Sequence, residues 1–118
     1  MILVDTSVWI HHLNEGDAEL VELLDAGLVS THSFVIGEIA CGHTPNRRQL
    51  LQDLQRLPRV RTLSLEEWLH FTERRGLIGC GLGFVDIHLL GSSALSEGMH
   101  LWTRDARLQR AAEGLGLH

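Results

Sequence analysis

Lysine is missing from this chain, and all ten basic residues are arginine. P-loop phosphate binding, Schiff-base formation and lysine nucleophiles are thereby excluded, since each needs an amine. Cysteine is scarce. Cys41 and Cys80 lie far apart in sequence, which argues against a disulfide framework and against a cysteine-based zinc site. No apolar run approaches the roughly 18 residues of a membrane span. The opening residues also lack the basic and apolar regions of a signal peptide, so the expectation is a cytoplasmic chain with no membrane contact. Repeats, linkers and low-complexity stretches are absent too, leaving 118 residues for one domain, 1–118, with a real core.

The formal net charge is −5, which argues against a protein that holds nucleic acid merely by being basic. The distribution says more than the sum. Residues 1–43 carry seven acids and no arginine, whereas residues 44–75 carry seven arginines against four acids.

The stretch that organises the rest is Ile2-Leu3-Val4-Asp5-Thr6-Ser7. Its apolar run predicts a short strand buried on both faces, and Asp-Thr-Ser predicts a direct passage into a helix. Asp5 then stands at the carboxyl end of a core strand, where open α/β sheets bind ligands. The plainer alternative is that Asp5, Thr6 or Ser7 only caps the helix.

A short helix should follow through Leu13, then a second one capped by Asp17 and ended by Gly27. Leu28 to Thr31 reads as strand, and Ser33 to Cys41 as a buried helix whose only charge is Glu38. Asn46 opens a helix closed by Pro58. Val60 to Leu63 predicts a third strand, and Ser64 with Glu67 fits a capping box for the helix running to Gly76. The glycine-rich link from Gly79 to Gly83 leads into a helix from about Phe84 to Glu97. Met99 to Thr103 predicts a fourth strand and Asp105 a final helix, with Gly114 to His118 as a short edge strand. The alternation predicts an α/β fold: a central parallel sheet of four to five strands flanked by helices on both faces.

Three further acids stand out. Asp86 shares a helical face with Leu89 and Leu90, and acids are rarely buried without a partner. Glu38 lies in the second turn of its helix, too far in for the macrodipole to explain well. Asp105 repeats the strand, carboxylate, helix layout of Asp5, and in isolation is most simply a cap. Two of the four acids sit at strand ends and two sit early in helices that begin at that same end. All four can therefore converge on one rim.

Gathered so, they repel one another. At roughly 5 Å and an effective dielectric of about 20, each pair costs on the order of 3 kcal/mol. With Arg104 the only basic residue beside any of them, a divalent cation is the economical compensation, and hard oxygen ligands suit Mg2+ or Mn2+. Such a site polarises phosphate and activates water, the physics of phosphodiester cleavage.

With these acids placed, the chain resembles the PIN-domain ribonucleases, and within them the VapC toxins of bacterial VapBC toxin-antitoxin pairs. The resemblance covers the whole chain. It is carried by Leu3-Val4-Asp5-Thr6-Ser7, Gly37-Glu38-Ile39, Gly83 to Leu90 with Ser93-Ala94, and Leu101-Trp102-Thr103-Arg104-Asp105. It implies Mg2+ held by Asp5, Glu38, Asp86 and Asp105 as catalytic residues, with Ser7 and Thr103 supporting them. It further implies endonucleolytic cleavage of an RNA substrate, a homodimer, and neutralisation by a VapB-like antitoxin. Arg47, Arg48, Arg74, Arg75, Arg104 and Arg107 are candidates to contact the RNA backbone, Arg104 and Arg107 foremost, although any one of them fits a solvated helix face equally.

Competing signals are weaker. The histidines include no His-x-x-x-His pair, which argues against zinc. His88 projects about 200° from Asp86 around the helix, away from the site. Gly79 to Gly83 lacks the full spacing of a dinucleotide loop, and Ser92 and Ser93 lack a nucleophile elbow. A phosphatase with Asp5 as nucleophile would want an acid where Ser7 stands. The non-enzymatic alternative is an interaction module whose acidic rim binds a basic peptide.

Overall fold

The computed structural model describes every residue from Met1 to His118. Strand β1 (Ile2–Val4) is followed by helices α1 (Thr6–Glu15) and α2 (Ala18–Asp25), then β2 (Val29–Ser30). Helices α3 (Ser33–Ala40), α4 (Arg47–Arg56), α5 (Leu65–Arg74) and α6 (Phe84–Ala94) come next, before β3 (His100–Trp102) and α7 (Ala106–Gly114). The sheet is parallel, in the order β2-β1-β3, so the first strand is the central one.

Successive residues of a strand point to opposite faces. Leu3 and Val4 are both fully buried, so helices cover the sheet on both sides. The same core takes in Val8 and Trp9 of α1, Val35 and Ile39 of α3, Leu89 and Leu90 of α6, and Leu108 of α7. Local signals set the helix starts. Asp17 accepts a hydrogen bond from the Leu20 amide, and Ser64 and Glu67 form the reciprocal capping box expected of them.

Three strands form where four to five were expected. The segment after Pro58 contributes a single bridge, Thr31 to Arg59, in place of a strand over Val60 to Leu63. The reason lies in where its backbone bonds go. The Arg61 carbonyl accepts from the Ser92 hydroxyl of α6 at 2.7 Å, and Leu63 packs against Gly91, where an added Cβ would meet its Cδ1 at 2.4 Å. The segment is drawn onto a helix and leaves the sheet edge. At the C-terminus the Leu101 amide donates to the Leu117 carbonyl at 2.7 Å, but α7 runs on to Gly114 and no edge strand forms. Helix α6 also stops at Ala94, short of Glu97.

Candidate active site

The sheet register assembles the first part of the site. Val4 of β1 lies beside Trp102 of β3, and one residue further the Asp5 amide donates to the Trp102 carbonyl at 2.9 Å. Asp5 and Thr103 therefore stand side by side at the carboxyl ends of adjacent strands. The Thr103 hydroxyl donates to Asp5 Oδ2 at 2.7 Å, and the Ser7 hydroxyl donates to the same oxygen at 2.7 Å. Each hydroxyl has one proton. With both protons on the carboxylate, the 3.2 Å approach of Ser7 Oγ to Thr103 Oγ1 is a packing contact. The hydroxyl oxygens are themselves held: Ser7 Oγ accepts from the Arg104 amide at 2.9 Å, and Thr103 Oγ1 from the Asp105 amide at 3.0 Å.

Asp5 occupies the N-cap position of α1, yet its side chain caps nothing. That removes the capping explanation. A carboxylate only 7% exposed is held by side chains from two strand ends and contributes no bond to its own helix. Asp105, by contrast, is exposed and does cap: Oδ1 accepts from the Arg107 and Leu108 amides at 2.9 and 3.0 Å.

Asp86 is half-buried in the first turn of α6, where Oδ2 accepts from the Gly83 amide at 3.1 Å. Burial raises its pKa, the Gly83 bond opposes that shift, and the charges of Asp5 and Asp105 reinforce it. Three of the four acids are thus close enough to sense one another. Glu38 arrives differently. It is exposed, so α3 is not buried all round as its sequence suggested, and Oε1 accepts from the Thr6 hydroxyl at 2.7 Å. Thr6 is the residue that sequence reasoning passed over. The available signal was its place between Asp5 and Ser7, all three leaving the same strand tip.

No three histidine, cysteine, aspartate or glutamate side chains stand close enough together to enclose one ion. The expectation of four acids already drawn into a single cluster is corrected to that extent. The hydrogen bonds give the physical reason, since each acid is anchored separately: Asp5 to Ser7 and Thr103, Glu38 to Thr6, Asp86 to Gly83, Asp105 to α7. The anchoring follows one pattern. In every case one carboxylate oxygen takes the bonds and the other has none.

A search by family model matches a PIN domain over residues 2–114. This chain belongs to the PIN-domain family. The protein named ribonuclease VapC32 of Mycobacterium tuberculosis is 48% identical over 117 residues, in the forms from both strain CDC 1551 / Oshkosh and strain ATCC 25618 / H37Rv. That similarity spans 99% of this chain and 94% of the relative. The VapC type read from the four acid-bearing motifs is supported along almost the whole chain.

Around this PIN-domain rim the arginines divide. Arg107 lies alongside the glycine-rich link, its guanidinium donating to the Gly81 carbonyl at 3.4 Å. Gly81 has φ +86°, and a Cβ there would stand 3.3 Å from Arg107 Nη1, so the glycine permits the approach. Arg104 is exposed, with its backbone pinned to Ser7. Arg47 is committed elsewhere, donating twice to the Ala40 carbonyl at the end of α3, and Arg75 lies 5.7 Å from the centre of the Phe71 ring. His88 is buried among the rings of Phe34, Phe84 and Trp68, away from the acids, in keeping with its angle to Asp86. No helix is long and apolar enough to cross a membrane.

Proposed function

We propose that this protein is an endoribonuclease dependent on Mg2+, with Mn2+ as a substitute, and that it is the toxin of a VapBC pair. The observation that carries this reading is the shared anchoring of Asp5, Glu38, Asp86 and Asp105: one oxygen fixed by the protein, the other free. Four free, hard, anionic oxygens on one rim with no lysine to neutralise them match the donor set of Mg2+, which needs only one or two carboxylates beside water and phosphate. The relative at 48% identity carries the name ribonuclease, which supports the same substrate class. A bound cation supplies charge neutralisation, polarisation of the scissile phosphate and activation of the attacking water.

The chain's own residues do the rest. Ser7 and Thr103 fix the orientation of Asp5, so its free oxygen points without reorganisation. The free oxygens of Asp86 and Glu38 complete the cradle, and one of the acids takes the proton from water during in-line attack. Arg104 and Arg107 contact the RNA phosphates on either side. A VapB-like antitoxin inhibits by placing a basic side chain among the acids of a homodimeric toxin. Antitoxin affinity that survives neutralisation of the acids would count against that mode.

The direct test is incubation with a panel of RNAs, with Mg2+ or with EDTA, comparing wild type and Asp5→Asn. Cleavage is expected only from the wild type and only with the cation. A folded, active Asp5→Asn protein would overturn the assignment.

A further inference from the structure

Next to the acids, α5 and the start of α6 enclose a groove of about 370 Å3, seven of whose ten lining residues are apolar. Its walls include Trp68, Leu69, Leu82, Phe84 and Ile87, and Glu73 is its only charged residue. Phe84 is the notable member. It is 51% exposed even though Trp68, Phe34 and His88 place ring centres 5.0, 6.3 and 4.6 Å from its own. Its backbone is held as well, because the Trp68 indole N–H donates to the Phe84 carbonyl at 3.1 Å. A ring supported on several sides yet half open to solvent is a preorganised flat apolar surface.

Position and charge select the occupant. Phe84 precedes Asp86 by two residues on one helix, a rise of about 3 Å. Whatever rests on Phe84 is therefore beside the place where a phosphate must sit to be cut. The groove holds no cation, so it does not itself suit a phosphate, but it suits an uncharged planar group. The cation lies just outside, where Arg107 touches Gly81, three residues before Phe84. Apolar slot, guanidinium and carboxylate succeed one another in the order base, phosphate, metal site.

We infer that Phe84 is a stacking platform for one unpaired RNA base next to the scissile phosphate, with Trp68 as the second aromatic wall of the groove. The inference rests on the ribonuclease reading above and narrows its substrate to RNA whose bases are free to splay out, in loops or single strands. Removing a base–aromatic stack weakens binding about 5- to 150-fold.

The test uses the full chain carrying Asp5→Asn, so that RNA is bound without being consumed. The probe is an RNA that the wild type cuts, labelled with 2-aminopurine beside the cleavage site, and also made abasic at that position. With Phe84→Leu, which keeps an apolar side chain but no ring, affinity is expected to fall about 5- to 150-fold and the fluorescence quench on binding to disappear. Phe84→Tyr should restore both, and the abasic RNA should bind Phe84 and Phe84→Leu proteins alike. Unchanged affinity and quench in a folded Phe84→Leu protein would overturn the inference while leaving the ribonuclease reading intact. Loss of antitoxin binding alone in that variant would overturn it too and assign the groove to a protein partner. Failure of the wild type to bind or cut any RNA would sink both.

Discussion

At the tip of β1 the carboxylate of Asp5 is buried, stands at a helix N-cap and caps nothing, while near the tip of β3 that of Asp105 is exposed and caps α7 with two bonds. The sequences invite the same reading for both, since each places an acid between a short apolar strand and a helix. What separates them is position in the sheet. β1 is central, so the ladder puts the Thr103 hydroxyl beside Asp5, and burial leaves the carboxylate no cheaper partner. β3 has no strand on its other side and Asp105 faces solvent, where the free amides of its own helix are the nearest donors. A central acid is therefore fixed in one orientation by its neighbours, and an edge acid rests as a cap until something competes for it.

The largest effect tests that difference directly. Asp5→Asn should lower RNA cleavage by on the order of 10³-fold, equivalent to several kcal/mol of transition-state stabilisation. Because Asp5 makes no cap, helix α1 should keep its stability. A variant that melts instead of merely losing activity would break the comparison, since Asp5 would then be structural.

The third strand tip sharpens the contrast. β2 runs into His32, whose Nδ1 accepts from the Phe34 amide at 2.9 Å as the cap of α3. Burial, assisted by nearby His88, lowers its pKa from 6.5 to about 4. The unfolded chain takes up this proton near pH 6.5 and the folded chain only near 4, so the unfolded state binds more protons in that window. Stability should be complete above about pH 6.5 and decline towards pH 4, by at most about 3 kcal/mol from this residue. Urea denaturation of wild type and His32→Asn at pH 7 and pH 4.5 measures it, asparagine being a capping residue that does not titrate. Equal losses in the two proteins would remove His32 as the cause.

Thr103 joins the two acidic tips, donating to Asp5 and accepting from the Asp105 amide. Thr103→Val keeps the shape and removes both bonds in a residue that is 6% exposed. A cost of about 1–3 kcal/mol is expected, with reduced cleavage because Asp5 loses one of its two anchors. Combining it with Ser7→Ala should give non-additive effects on activity, as both act through one oxygen. Strict additivity would mean that the hydroxyls do not share a task.

Much of this was legible in the residues, and the gaps have physical causes. The parallel α/β plan, the caps at Asp17 and Ser64 and the four acids follow from local chemistry that short windows contain. The missing strand does not, because a hydroxyl from distant α6 claims the Arg61 carbonyl and Gly91 admits Leu63 against the helix. The exposure of Glu38 was hidden by its apolar neighbours, and its tie to Thr6 spans 32 residues. Periodicity could rank Asp86 as inward-facing, but only the sheet register could give Asp5 and Asp105 different duties.

The smallest effect is also the sharpest separation of those duties. Asparagine caps helices about as well as aspartate, whereas alanine does not, at a cost near 1 kcal/mol. Asp105→Asn should therefore leave thermal stability close to that of the wild type while weakening cation-dependent cleavage, since a neutral amide is a poorer ligand for a hard cation. Asp105→Ala should lose the same activity and, in addition, about 1 kcal/mol of stability through the Arg107 and Leu108 amides it leaves unpaired. If both variants retain full cleavage, Asp105 is a cap and nothing more, and the free oxygen at the tip of β3 has no part in the site.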